Sequence, residues 1–272
     1  MCIGILDSGL GGLTLLAEAL QLLPREDYYY YADADHVPYG LHSPAEVQAY
    51  ALAAADFLAL CGVRALVVAC NTATGAAIGP LRRRFAFPVL GMEPAVKPAL
   101  VAKKNGRILV AATPLTLRLE KYHNLVDSLH AADVVDSLPL PELVTYAERG
   151  LFGDAALPYL RAASADLDLT RYTTVVLGCT HFPFYQAQFR ALMPEAAVID
   201  GNAGTVRHLA GTLAQAGGLK GSGGGAVRFF RSGREEIGTP YRSLLERALA
   251  WQIESQSAQA PVRSVSKVIT AQ

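Results

Sequence analysis

Short apolar runs alternate along this chain with longer stretches of helical periodicity, and the alternation runs through twice. In the first series Ile3–Leu6, Tyr28–Ala32, Ala65–Ala69 and Pro88–Gly91 read as strands. Helices are predicted over about Leu13–Leu23 and from Ser43 onward. Ser43 suits an N-cap, Pro44 the first helical turn, and Glu46 stands three residues after the cap, the spacing of a capping box. The second series runs from a strand at Arg107–Ala112 through a helical stretch to about Leu129 and a short strand at Asp133–Ser137. A helix over Ala155–Ala165, a strand at Thr174–Leu177, a helix over Phe184–Leu192 and a strand at Ala197–Asp200 complete it. Continuous apolar strands separated by helices predict parallel sheets covered on both faces.

The two series echo each other. Val67-Val68-Ala69-Cys70-Asn71-Thr72 resembles Val175-Val176-Leu177-Gly178-Cys179-Thr180-His181, each delivering a cysteine and then polar residues at a strand's carboxyl end. The predicted fold is α/β: two pseudo-symmetric lobes, each a mostly parallel sheet flanked by helices, with the active site in the cleft between them. One lobe is assigned to residues 1–94 plus a returning helical segment over 208–255, the other to 95–207. The Gly-rich run Gly217–Gly225 reads as a surface loop and residues 256–272 as a loosely ordered tail.

Ligands of open α/β sheets bind beyond the carboxyl ends of the strands, and that is where Cys70 and Cys179 fall. Each precedes a predicted helix, whose N-terminus lowers a thiol pKa toward neutrality. Buried cysteines also serve as small core fillers, and Cys2 and Cys61, which lack this setting, are assigned to the core. Asp7-Ser8 ends the first strand at the same edge, placed either to assist a thiol and bind substrate or to cap the next helix. Gly9-Leu10-Gly11-Gly12 lacks the third glycine of a dinucleotide fingerprint, because position 14 is Thr14. A tight turn that frees N–H groups for a carboxylate fits better. Pro38-Tyr39-Gly40 reads as a rigid loop with a tyrosine lid or as a plain turn. Thr113 and Thr116 follow a strand and suit carboxylate binding or capping, and His181 is placed to tune Cys179. Glu148, before Gly150, reads locally as a surface charge.

Composition narrows the partners. With 272 residues and 51% apolar types the chain builds a substantial core, and 24 basic against 24 acidic side chains give no field for a nucleic acid or an anionic membrane. The four cysteines show no C-x-x-C spacing and read as free thiols. Met1–Asp7 lacks the basic region of a secretory signal, and Ala51–Cys70 is too interrupted to span a bilayer. A cytoplasmic protein is expected.

With these residues in view, the chain resembles the aspartate/glutamate racemase family over nearly its whole length. The match runs through Ile5-Leu6-Asp7-Ser8-Gly9-Leu10-Gly11-Gly12, Val37-Pro38-Tyr39-Gly40, Val68-Ala69-Cys70-Asn71-Thr72-Ala73, Thr113-Pro114 and Leu177-Gly178-Cys179-Thr180-His181. The resemblance implies an isomerase that interconverts L- and D-glutamate for peptidoglycan synthesis, without pyridoxal phosphate or any other cofactor and without a metal, as a homodimer. It assigns Cys70 and Cys179 as the catalytic thiols and Asp7, Ser8, Tyr39, Gly40, Asn71, Thr72, Thr180 and His181 as substrate-contacting or thiol-assisting residues. Glu148 matches an acidic position of the second lobe. Ala111-Ala112 and the Met92–Lys97 segment depart from the family pattern without removing a catalytic group. Inversion then calls for one base on each face of the α-carbon, one sulfur as thiolate and the other as thiol. An aspartate-specific racemase, a decarboxylase or isomerase of the same superfamily, a cysteine hydrolase and a non-catalytic dicarboxylate-binding protein stand as alternatives.

Overall fold

The computed structural model of the chain describes residues 2–102, 105–218 and 224–259. Strands β1 (Ile3–Asp7), β2 (Tyr28–Ala32), β3 (Ala65–Val68) and β4 (Val89–Gly91) alternate with helices α1 (Leu13–Leu22), α2 (Pro44–Leu60) and α3 (Asn71–Arg84) and pair in parallel. Every residue of β1 and β3 is buried, which is why their sequences run apolar without alternation. Helix α2 begins with the expected capping box, in which Ser43 and Glu46 exchange side-chain and backbone bonds.

Beyond α4 (Val96–Ala102), a second, all-parallel sheet takes the order β6 (Val135–Pro139), β5 (Arg107–Ala112), β7 (Tyr172–Leu177), β8 (Ala197–Asp200). Helices α5 (Pro114–Arg118), α6 (Glu120–Ser128), α7 (Pro141–Glu148), α8 (Leu157–Ala163) and α9 (Gln186–Leu192) connect its strands. The stretch expected as one helix to Leu129 is two, because Leu119 takes an extended conformation between them.

The return to the first sheet corrects the expectation of a purely helical segment. After α10 (Asn202–Gln215), β9 (Val227–Arg231) pairs in parallel with β2, and β10 (Arg234–Glu236) closes the edge antiparallel to β9. Phe229 and Phe230 face opposite cores, so β9 shows no period-2 pattern by which to find it. Helix α11 (Thr239–Gln259) packs on α1 and extends four residues into the expected tail; residues 260–272, and 219–223 of the Gly-rich loop, lie outside the described residues. The division into lobes at residues 94 and 207 stands as a proposal, with α10 straddling the second boundary. Cys2 and Cys61, expected in the core, are only partly buried. No helix among the described residues is long and apolar enough to cross a membrane.

One apolar cluster runs between the two sheets, from Ile3, Ile5 and Val67 of the first through Leu13 and Leu16 of α1 to Leu109 and Val175 of the second. Each such side chain contributes about 1.5–3 kcal/mol on burial. A second cluster fills the outer face of the first sheet beneath α2 and α3, and a third lies against the second sheet beneath α4 and α6. The strands thereby hold their carboxyl ends in fixed positions at the seam.

Candidate active site

Four strand ends meet at that seam. Asp7 closes β1, Cys70 follows β3 by two residues, Thr113 follows β5, and Cys179 follows β7 by two residues. Cys70 is 5% exposed and Cys179 6%. Cys70 caps α3, its Sγ accepting the Ala73 N–H at 3.4 Å, and the Ser8 hydroxyl reaches the same sulfur. The expected lowering of this thiol is overturned. Burial, reinforced by the Asp7 carboxylate, pushes Cys70 up to about 12, and the helix-start N–H offsets only part of it. Cys179 is followed by a 3-10 turn, Phe182–Tyr185, and the helix expected from Phe184 begins at Gln186.

Asp7 lies wholly buried between the lobes. Its Oδ1 accepts the Gly9 N–H at 3.0 Å, and its Oδ2 accepts the Thr180 hydroxyl at 3.0 Å. Burial raises its pKa to about 6, against the pull of His181 and these donors. His181, 1% exposed, sets Nδ1 3.8 Å from the Cys179 Sγ and Nε2 2.7 Å from Glu148 Oε1. Burial alone would lower the imidazole pKa; the Cys179 sulfur and the Glu148 carboxylate outweigh it and hold His181 well above its ordinary value.

The reading of Glu148 as a surface charge is overturned too. It ends α7, and the same Oε1 that takes His181 also accepts the Leu10 N–H at 2.8 Å, joining the lobes across 138 residues. No periodicity signals a contact of that separation. Glycine makes it geometrically possible. A Cβ on Gly9 would stand 1.9 Å from Glu148 Oε1, and one on Gly11 would stand 2.5 Å from both His181 Nδ1 and Thr180 Oγ1. The glycines of this turn serve the approach of the second lobe, not a dinucleotide.

Across the seam, the hydroxyls of Thr72, Thr113 and Thr116 form a buried triangle with all three edges at 2.9 Å. Thr113 is also the cap of α5. Beside them Asn71 keeps a buried Oδ1 without a partner. Tyr39 and Gly40 form a short 3-10 turn against this cluster, and a Gly40 Cβ would lie 2.7 Å from Thr113 Cβ. The Tyr39 hydroxyl donates to Asp33 Oδ2 at 2.6 Å and its ring is buried. Asp33, missed in the sequence, also faces His36 Nδ1 at 2.9 Å; its position directly after β2, one residue beyond the register partner of Asp7, was the available signal.

The structure therefore brings Asp7, Ser8, Cys70, Asn71, Thr72, Thr113, Glu148, Cys179, Thr180 and His181 to one buried seam, with Tyr39 and Gly40 at its side. Such a set offers two sulfurs, each with an acid or base behind it, and hydroxyl and amide groups suited to a carboxylate and an ammonium.

A family model described as Asp/Glu/hydantoin racemase matches residues 8–209. A glutamate racemase of Halothermothrix orenii is 52% identical over 239 residues, covering 87% of this chain and 94% of that one. The crystal structure of a glutamate racemase isoform from Bacillus anthracis superposes with a TM-score of 0.79 at 31% identity, covering 92% of this chain and 94% of that one. The Escherichia coli glutamate racemase, solved with L-glutamate and the activator UDP-MurNAc-Ala, gives 0.77 at 30% identity, with 91% and 95% covered.

Proposed function

The chain belongs to the Asp/Glu/hydantoin racemase family, and on that premise we propose that Cys70 and Cys179 invert the α-carbon of glutamate by proton transfers on opposite faces. The reaction is the interconversion of L- and D-glutamate. The observation that carries the assignment of roles is the pair of buried thiols at the ends of equivalent strands, near enough for charge on Cys179 to act on Cys70.

In one direction a thiolate takes the α-hydrogen as a proton, the C–H electron pair stays on the substrate as a carbanion delocalised into its carboxylate, and the opposite thiol delivers its proton to the other face. The reverse direction exchanges the roles. The carbanion is the costly species. Donors aimed at the carboxylate offset part of that cost, because they are already desolvated and oriented. Asn71, Thr72, Thr113 and Thr180, with the backbone of Tyr39–Gly40, suit that work. The Asp7 carboxylate favours the protonated, donating form of Cys70, and protonated His181 compensates negative charge on the Cys179 sulfur.

Support for glutamate over aspartate comes from the relatives, and D-glutamate made this way serves peptidoglycan synthesis. The family resemblance supports a cytoplasmic homodimer, which sedimentation at micromolar concentration tests. Circular dichroism of L-glutamate and L-aspartate with enzyme and no added cofactor tests the reaction. We expect the glutamate signal to decay to zero far faster, and Cys70→Ser or Cys179→Ser to slow that decay by about 10³-fold. A Cys70→Ser enzyme at near wild-type rate contradicts the assignment.

A further inference from the structure

Four tyrosines in a row, Tyr28–Tyr31, make up all of β2 but its last residue, and two of them point into the core between the sheets. Tyr28 and Tyr30 lie on that face, Tyr29 and Tyr31 on the other. Both inner hydroxyls bond to backbone of the β1–α1 unit, at opposite ends of it. Tyr28 donates to the carbonyls of Ala19 and Leu23, at the far end of α1, at 3.0 and 2.9 Å. Tyr30, 0% exposed, donates to the Gly9 carbonyl at 2.6 Å, beneath the turn that carries the site.

The Gly9 carbonyl and the Leu10 N–H belong to one peptide plane. The oxygen is held by Tyr30 and the N–H by Glu148 Oε1 at 2.8 Å, so the two side chains grip one rigid group from opposite ends. The oxygen of Glu148 that takes this N–H also takes His181 Nε2. The preceding N–H, that of Gly9, goes to Asp7. Rotation of this peptide releases Glu148, the partner of His181, and through the shared Gly9 Cα it bears on the adjoining Ser8–Gly9 peptide, whose N–H Asp7 accepts. The chain's C-terminal return braces the same tyrosine: Phe229 of β9 and Tyr241 of α11 stand edge-on and tilted against the Tyr30 ring at 6.2 and 6.1 Å, and stack on each other.

We propose that Tyr30 is a positioning residue for the racemisation, its hydroxyl fixing the glycine turn whose successive N–H groups hold Asp7, on the Cys70 side, and Glu148, behind His181. The assignment rests on the two-thiol reading. It gives β9 and α11 a part in the chemistry, as the brace behind the turn.

The test compares Tyr30→Phe with Tyr28→Phe. Both keep the ring and lose a buried hydroxyl on the same face of the same strand, so both lower thermal stability. Tyr30→Phe is expected to lower kcat by about 10- to 100-fold, with KM within about threefold, since small misplacements of catalytic groups cost that much. The α-deuterium isotope effect should rise with both enantiomers, because both proton transfers slow. Tyr28→Phe should keep wild-type kcat and isotope effects. Placing para-aminophenylalanine at position 30, which retains a donor at the same place, should bring kcat back to within about threefold of wild type. Wild-type kinetics in Tyr30→Phe, equal damage from Tyr28→Phe, or failure of the amino analogue to restore kcat each overturns the assignment. Cys70→Ser, run beside them, separates the two claims. If it is inactive while Tyr30→Phe is normal, only the role of Tyr30 falls; if it racemises, the two-thiol reading itself falls.

Discussion

The Cys70 half and the Cys179 half of the site are built to one plan and backed by opposite charges. Behind Cys70 stand the Asp7 carboxylate, the Ser8 hydroxyl and a backbone N–H; behind Cys179 stands an imidazole kept protonated against its burial. The lobes echo each other in strand order and in where each sulfur sits, yet one thiol works beside an anion and the other beside a cation. The difference teaches that a two-base reaction does not need matched bases. An anion keeps a neighbouring thiol protonated and ready to donate, and a cation stabilises a thiolate ready to accept, so the two devices favour the two protonation states that the reaction uses.

Removing each helper separately has the largest expected effect. Asp7→Asn and His181→Asn should each lower kcat by about 10²-fold, as expected for loss of an acid/base assistant. The primary isotope effect should rise chiefly with one enantiomer in the first variant and with the other in the second. Equal effects on both enantiomers in each variant would abolish the distinction between the halves.

Asp7 also links the comparison to pH. Its folded pKa of about 6 lies above its ordinary value near 3.8, so the folded form binds the proton more tightly. Its contribution to stability is thus fully present below pH 3.8 and is lost as pH rises through about 6, on the order of 3 kcal/mol in all. Asp7→Asn should therefore raise unfolding free energy at pH 7 while lowering activity, measured by denaturant melts. The ionised carboxylate is the active form, so kcat/KM of the parent should fall below about pH 6, and that limb should vanish in Asp7→Asn.

A smaller effect is expected from Gly9→Ala. Its Cβ would meet Glu148 Oε1 at 1.9 Å, forcing the carboxylate off both His181 and Leu10. We expect kcat to fall about tenfold, with the loss resembling a mild His181 defect. The smallest is Thr116→Val, which leaves Thr72 and Thr113 one hydroxyl partner short and should cost about 1 kcal/mol of stability in a thermal melt, with little change in kcat.

How much of this was legible in the sequence follows from the range of each interaction. The strand ends, the two cysteines, Asp7 and His181 were found because buried parallel strands write themselves as local apolar runs, and the residues after them must lie at the sheet edge. Glu148 was picked out only by the family resemblance, and Tyr30 was not assigned, since their partners are 138 and 21 residues away and neither contact leaves a local pattern. Strand β9 was missed because both its faces are buried within five residues. The direction of the Cys70 shift was misjudged for a different reason. A helix start was visible, but complete burial beside a carboxylate was not, and desolvation outweighs the helix.

Two-thiol inversion requires a proton to leave one face of the α-carbon for one sulfur and another to arrive on the opposite face from the second. Racemisation of L-glutamate in D2O, stopped early and analysed by NMR and mass spectrometry after separating the enantiomers, tests it most directly. Two-thiol chemistry gives D-glutamate carrying deuterium at the α-carbon and recovered L-glutamate still carrying hydrogen. D-glutamate that retains the substrate's own α-hydrogen, or L-glutamate that exchanges as fast as D-glutamate forms, would contradict it.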